Sequence, residues 1–222
     1  MKLFNTLSRT LEEIVPLNPL LLTFYSCGPT VYDFTHIGHM RTYTNIDFLK
    51  RTLTYIGLKV NHVMNITDVG HLTGNTDEGE DKLEKGAKTT GKSVWDVAKF
   101  YTDIFFETMK ALNVLPADTT CKATDHIEDM LGLVKQLQQK GFAYETKEAV
   151  YFDTSKFPNY GKLSGQKLDE KLQQARKEVV KDPEKKNPAD FALWFKTVGR
   201  FANHEMHWSS SCGEGFPGWH FE

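Results

Sequence analysis

Cysteine is scarce. Cys27, Cys121 and Cys212 are the only three, far apart and odd in number. That argues against a disulfide-stapled framework and for a reducing compartment. No C-x-x-C pair occurs, so spacing alone defines no zinc site. Long apolar runs are missing too: no segment approaches the roughly 20 residues that span a bilayer. The opening stretch "MKLFNTLSRTLEEIVPL" has no sustained apolar core of signal-peptide length, so a soluble cytoplasmic protein is expected. Charge of one sign is also lacking. With 27 Lys and Arg against 29 Asp and Glu, the net charge is −2 and the molecule as a whole exerts no long-range pull on nucleic acid. Contact with RNA would need a local basic patch or a separate domain. No internal repeat and no low-complexity tract is present.

What is there is an ordinary globular composition. The 222 residues are 40% hydrophobic and 12% aromatic, enough for a real core in one large domain or one domain with an insertion. "PLLLTFYSC" reads as a short buried strand broken by Cys27 and Gly28. From Met40 onward Tyr43, Ile46, Leu49, Leu53 and Ile56 recur at helical spacing, and Gly57 stands where a C-terminal cap belongs. "LKVNHVMNITD" follows as a second strand. Strand, helix, strand is a βαβ unit, which builds a parallel sheet with ligands at the carboxyl ends of its strands. Cys27, the Asn65–Asp68 tail and the histidines at the helix start all belong to that rim.

The glycine-rich, acidic stretch from Gly70 to Lys92 reads as a mobile surface loop. Gly79 is out of register for a calcium-binding loop starting at Asn75 or Asp77. Ser93 and Asp96 resemble a capping box, opening a helix with Val97, Tyr101, Ile104, Phe105, Thr108 and Leu112 on one face. A further helix is expected from about Thr124 to Lys140, ending at Gly141. "FAYETKEAVYFDTS" then reads as a hairpin. Gln166 to Asn187 carries seven Lys or Arg and five Asp or Glu, by default a solvated face. The plan is an α/β unit over 1–115, an inserted α+β module over 116–200, and a partial return to the first unit over 201–222.

His36 and His39, three apart at a helix start, fall on one face beside backbone N–H groups that attract anions. Gly38 between them allows a close backbone approach. Two imidazoles there can donate hydrogen bonds to a phosphate as its charge grows. The bland alternative is a pair of half-exposed histidines capping a helix. Cys27 faces the same rim, either as a small buried side chain or as a thiolate zinc ligand. Cys212, His207 and His220 are the other metal-ligating candidates, and they do not assemble a site by spacing. Cys121 reads as structural.

The run "YSCGPTVYDFTHIGHMRTY" strongly resembles the first signature of the cysteinyl-tRNA synthetases, a class I aminoacyl-tRNA synthetase family. "NITD" at 65–68 is similar to that family's next pocket strand. "ATDHIEDMLGLVKQLQQKGFAY" and "NPADFALWF" resemble its connective insertion, and "GFPGWHFE" the start of its second zinc-site segment. The resemblance covers almost the whole chain. It implies a Rossmann-like α/β class I synthetase core, of the His-Ile-Gly-His nucleotide-binding kind, with an inserted α+β connective module.

It also implies an activity. Members bind ATP with Mg2+ and L-cysteine, form cysteinyl-adenylate with release of pyrophosphate, and transfer cysteine to tRNA(Cys). His36, Gly38 and His39 would bind ATP, the two histidines acting catalytically. Cys27 would be one zinc ligand, with Gly28, Thr67 and Trp219 lining the cysteine pocket. Zinc prefers sulfur to a hydroxyl oxygen, which would sort cysteine from serine where pocket shape discriminates poorly.

Two departures stand out. "VGHLTGNTDEGEDKL" replaces the family's usual Ile-Asp-Asp-Lys after Asn-x-Thr-Asp. The remaining zinc ligands, the Lys-Met-Ser-Lys-Ser loop and the anticodon-binding domain would lie beyond Glu222. The chain therefore reads as the N-terminal part of a longer, monomeric enzyme, inactive by itself. The basic residues between Lys167 and Lys186 are either a guide for the tRNA acceptor end or a solvated face. Two rivals remain: a mycothiol-pathway ligase joining cysteine to an amino sugar, and a non-catalytic binding paralogue.

Overall fold

The computed structural model describes residues 1–69, 81–165 and 182–218. Among these, residues 15–69 with 81–126 form one compact unit, and residues 1–14, 127–165 and 182–218 form another. The second unit begins with a hairpin, β1 (Lys2–Asn5) antiparallel to β2 (Thr10–Glu13).

The first unit is the parallel one. Its described elements are β3 (Leu22–Ser26), α1 (Ile37–Tyr55), β4 (Val60–Ile66), α2 (Lys82–Thr90), α3 (Val94–Ala111) and β5 (Thr119–Lys122). The strands are ordered β3-β4-β5 and both pairings are parallel, with Leu22 opposite Val60 and Val63 opposite Thr119. The βαβ reading holds, and parallel pairing continues past residue 115 to Lys122.

The buried face of α1 is more polar than its apolar periodicity suggested. Tyr43, Asp47, Lys50 and Leu53 are buried, whereas Ile56 is exposed. Lys50 Nζ donates to the Pro116 carbonyl and to Asp118 Oδ2, each at 2.8 Å. Asp47 accepts from Leu115 N–H at 2.9 Å and from Arg51 Nε at 2.7 Å. These charges face inward because they satisfy the backbone of the segment joining α3 to β5.

The stretch read as a loop up to Lys92 is corrected over 81–91. Asp81 caps α2 by accepting from Leu83 N–H and Glu84 N–H, and Leu83 and Ala87 are buried. Gly91 ends the helix at φ +67°, a left-handed turn that favours glycine. Residues 70–80 lie outside the described residues. Ser93 caps α3 as expected, accepting from Asp96 N–H at 3.1 Å while its hydroxyl donates to the Asp96 carboxylate.

Asp68 closes the unit. Its buried carboxylate accepts from Thr124 N–H at 3.0 Å and Thr124 Oγ1 at 2.7 Å, tying the end of β4 to the turn after β5. Burial raises its pKa, and the Thr124 bonds only partly offset that. A raised folded pKa means that Asp68's contribution is full below the unfolded carboxylate pKa and declines as pH rises through the folded one. Asp68→Asn keeps an acceptor, so it is expected to leave stability within about 1 kcal/mol at neutral pH and to remove this acid-range decline. Asp68→Ala orphans Thr124 N–H and is expected to cost about 1–3 kcal/mol. Urea unfolding at several pH values checks both.

The remainder of the antiparallel unit is α4 (Ile127–Gln139), β6 (Ala143–Glu145), β7 (Ala149–Phe152), β8 (Phe191–Lys196), β9 (Trp208–Ser210) and β10 (Gly213–Pro217). The sheet order is β6-β7-β8-β10-β9, every neighbour antiparallel. Tyr151, Phe195 and Phe216 of the strands pack with Phe201, from the short turn before β9, in one core cluster. Val150, Leu193 and Trp194 form another with Ile127 and Val134 of α4. β10 pairs with β8 on one side and β9 on the other, so residues 208–217 extend this antiparallel sheet. The change from parallel to antiparallel pairing comes after Lys122, the last residue of the third parallel strand. Most of the charged run, residues 166–181, is outside the described residues.

Candidate active site

Two clusters of the expected residues sit on the parallel unit. One is at the N-terminus of α1. His36 is the N-cap residue, with extended backbone, and its Nδ1 accepts from Gly38 N–H at 3.1 Å. His39 answers at the third helical position, its Nδ1 accepting from His36 N–H at 3.2 Å. The reciprocal bonds make a capping box of two histidines in place of the usual Ser or Thr with Glu. The rings stack with centroids 3.9 Å apart and planes inclined by 25°.

This cap decides the tautomers. An Nδ1 that accepts a hydrogen bond carries no proton, so each neutral ring holds its proton on Nε2. The capping reading and the anion reading are therefore compatible. Nδ1 serves the helix, and Nε2–H is left as a donor beside the positive end of the α1 dipole. Gly38 has a specific reason as well. A Cβ there would lie 2.8 Å from His36 Cε1 and 3.0 Å from Nδ1, so the absent side chain makes room for the His36 ring.

Burial first, and then the charge of His36, lower the His39 pKa. A lowered histidine pKa favours the neutral form in the fold, so the stability it gives is lost as pH falls through the folded value. The His39 ring is expected to titrate below the ordinary value of about 6.5, with the Nε2–H tautomer above that transition. Nitrogen-detected NMR of the imidazoles over pH 4–8 measures both, and a His39 midpoint above the ordinary value would contradict this account.

The second cluster surrounds the end of β4. Cys27 is exposed and free, as expected of a rim thiol and unlike a small core residue. The chain after it runs alongside β4. Thr67 N–H donates to the Pro29 carbonyl at 3.0 Å, and Val31 N–H to the Thr67 carbonyl at 3.1 Å. Gly28 N–H donates to Asn65 Oδ1 at 2.7 Å. A Cβ on Gly28 would stand 1.6 Å from the Asn65 carbonyl oxygen, so only glycine fits. Burial, then neighbouring Cys27 and Tyr25, push the phenol of Tyr43 on α1 up.

Cys27, Gly28 and Thr67 are thus brought together, and His36, Gly38 and His39 form the neighbouring cap. Trp219 and His220 lie outside the described residues. Among the described residues no group of three His, Cys, Asp or Glu side chains is placed to hold a metal ion. Cys27 can supply one thiolate, but the described donors do not make a zinc site. Cys212, in the β9–β10 turn, accepts from Gln138 Nε2 at 3.9 Å, and Cys121 Sγ on β5 donates to the Met64 carbonyl at 3.8 Å. Tyr25 was not singled out from sequence, and Asn65 only as the first residue of the rim tail, although an asparagine between Met64 and Ile66 in a buried strand was a visible signal.

A separate cavity of about 390 Å³ is lined by Tyr43, Lys50, His62, Met64, Phe105 and Met109 and includes none of the six expected residues.

A parallel sheet whose first strand leads into a histidine-capped helix fits the class I synthetase core that the sequence motif implies. The model of the tRNA synthetases class I (C) catalytic domain matches residues 13–222, and the chain belongs to that family. A protein of Treponema denticola named cysteine–tRNA ligase is 46% identical over 222 residues, covering all of this chain and 44% of that protein. One of Zymomonas mobilis with the same name is 45% identical over 219 residues, covering 99% of this chain and 42% of that protein. The chain therefore spans less than half the length of these curated relatives.

Proposed function

We propose that this chain is the N-terminal part of the catalytic machinery of an aminoacyl-tRNA ligase that activates L-cysteine with ATP and charges tRNA(Cys). The observation that carries the reading is the two-histidine cap, which leaves two Nε2–H donors beside a helix N-terminus. In this reading the cysteine carboxylate attacks the α-phosphorus of Mg2+-bound ATP, and pyrophosphate leaves. His36 and His39 donate to the phosphate oxygens as charge accumulates. The terminal ribose hydroxyl of the tRNA then attacks the activated carbonyl, releasing AMP.

Gly28, Thr67 and Trp219 are assigned to the amino-acid pocket. Cys27 is assigned as one zinc ligand. Zinc, when bound, would supply preference for a thiolate. The parallel unit is the first half of the catalytic domain, and the antiparallel unit carries the connective insertion. The reading includes a cytoplasmic location and a monomer. Three free cysteines support the reducing compartment, and no helix among the described residues is long and apolar enough to cross a membrane.

The acceptor is tested by supplying labelled cysteine and ATP to the longest product of the gene, with tRNA(Cys) or an amino sugar. Labelled tRNA is expected. Transfer to the sugar alone would replace this reading by a cysteine–amino sugar ligase, and transfer to neither would favour the non-catalytic paralogue.

A further inference from the structure

We infer that Asn65 is the positioning residue of the amino-acid pocket, a role that rests on the cysteine-activating reading above. Its side chain is buried at 8% exposure, in a strand where apolar neighbours would pack more cheaply. Its hydrogen-bond partners are the flanks of the pocket. Oδ1 accepts from Gly28 N–H at 2.7 Å and from Tyr25 OH at 2.8 Å, and Nδ2 donates to Thr67 Oγ1 at 3.1 Å. Tyr25 OH also lies 3.9 Å from Cys27 Sγ.

The pattern of donors fixes the amide. Turned over, it would set its NH2 against the Gly28 N–H and lose that bond. The main chain of Asn65 acts on the same turn, because its carbonyl occupies the space of a Gly28 side chain. One residue thus sets the placement of the Cys27–Gly28 turn on one side and of Thr67 on the other. Two groups that must meet one small substrate are held in register by a single planar side chain. Small misplacements of such groups are costly: about 1 Å can lower a rate 10²-fold.

Asn65→Ala removes all three bonds. Asn65→Asp keeps both acceptor positions, and the Thr67 hydroxyl can turn to donate to it. The test compares these variants with the wild type in the longest gene product. It uses the KM for cysteine and for ATP in pyrophosphate exchange, and the exchange rate of the Gly28 amide proton. For Asn65→Ala, the cysteine KM is expected to rise about tenfold or more, the ATP KM to stay within about twofold, and the Gly28 amide to exchange about tenfold faster, with Asp restoring most of each. A merely structural role would move both KM values together. Equal shifts, no shift, or an unchanged Gly28 amide would overturn the assignment while the wild type stayed active. A wild type without cysteine-dependent exchange would instead remove the reading on which the assignment rests, and the assignment with it.

Discussion

Replacing His36 and His39 together by alanine is expected to lower cysteine-dependent pyrophosphate exchange by about 10³-fold or more. Each ring whose Nδ1 accepts a cap bond keeps one Nε2–H donor, and removing one donor to a developing oxyanion typically costs about 10²–10³-fold. The two losses should not add fully. The two rings stack, so removing the His36 ring takes away the support of His39, although the His36 backbone N–H that bonds His39 Nδ1 remains. His36→Ala alone should therefore approach the double variant. The cap is a separate quantity, and its loss is expected to cost about 0.5–2 kcal/mol of stability. His36→Asn separates the two, because asparagine caps well yet presents no Nε2–H. It is expected to melt like the wild type and still lose about 10²-fold in exchange. An Asn variant with full activity would reduce His36 to a cap.

Gly28→Ala has the second large effect. The added methyl would sit 1.6 Å from the Asn65 carbonyl oxygen and 3.2 Å from Met64 Cγ. A backbone oxygen inside a parallel strand cannot yield as a flexible side chain can, so the Cys27–Gly28 turn must move off β4. That movement breaks the Gly28 bond to Asn65 Oδ1 and displaces Cys27 with it. The cysteine KM is expected to rise about 10²-fold, with overpacking costing about 1–3 kcal/mol or more. Gly132, inside α4, is the internal control. Nothing lies within 4 Å of a Cβ placed there, and Gly132→Ala is expected to stabilise the chain by about 0.5–1 kcal/mol without touching activity. Thermal melting and exchange kinetics on both variants distinguish a steric effect at one site from a general intolerance of alanine.

The features that were legible in sequence are the local ones. Period and punctuation gave β3, α1 and β4 because an apolar run, a helical stripe and two glycines each act over a few residues. The Ser93 cap and the Gly141 stop are likewise local. The cysteine turn and the two histidines could be named because signature residues at fixed spacing are specific in combination. What was hidden depends on partners distant in sequence. Asp47 and Lys50 break the apolar pattern of α1, and their reason lies with Leu115, Pro116 and Asp118. α2 has good caps at Asp81 and Gly91, but glycines and charges made it read as loop. The packing of the His36 ring over Gly38 was a further reason for glycine there that the sequence did not show. Nothing in "DTTCK" marks a strand until its pairing with β4 is known.

In the proposed function the cysteine turn and the histidine cap together activate cysteine. The most direct measurement is exchange of labelled pyrophosphate into ATP by the longest, zinc-loaded product of the gene, with cysteine as substrate and serine as control. Exchange with cysteine and none above background with serine is the expected result. No exchange with cysteine, or equal exchange with serine, would contradict it.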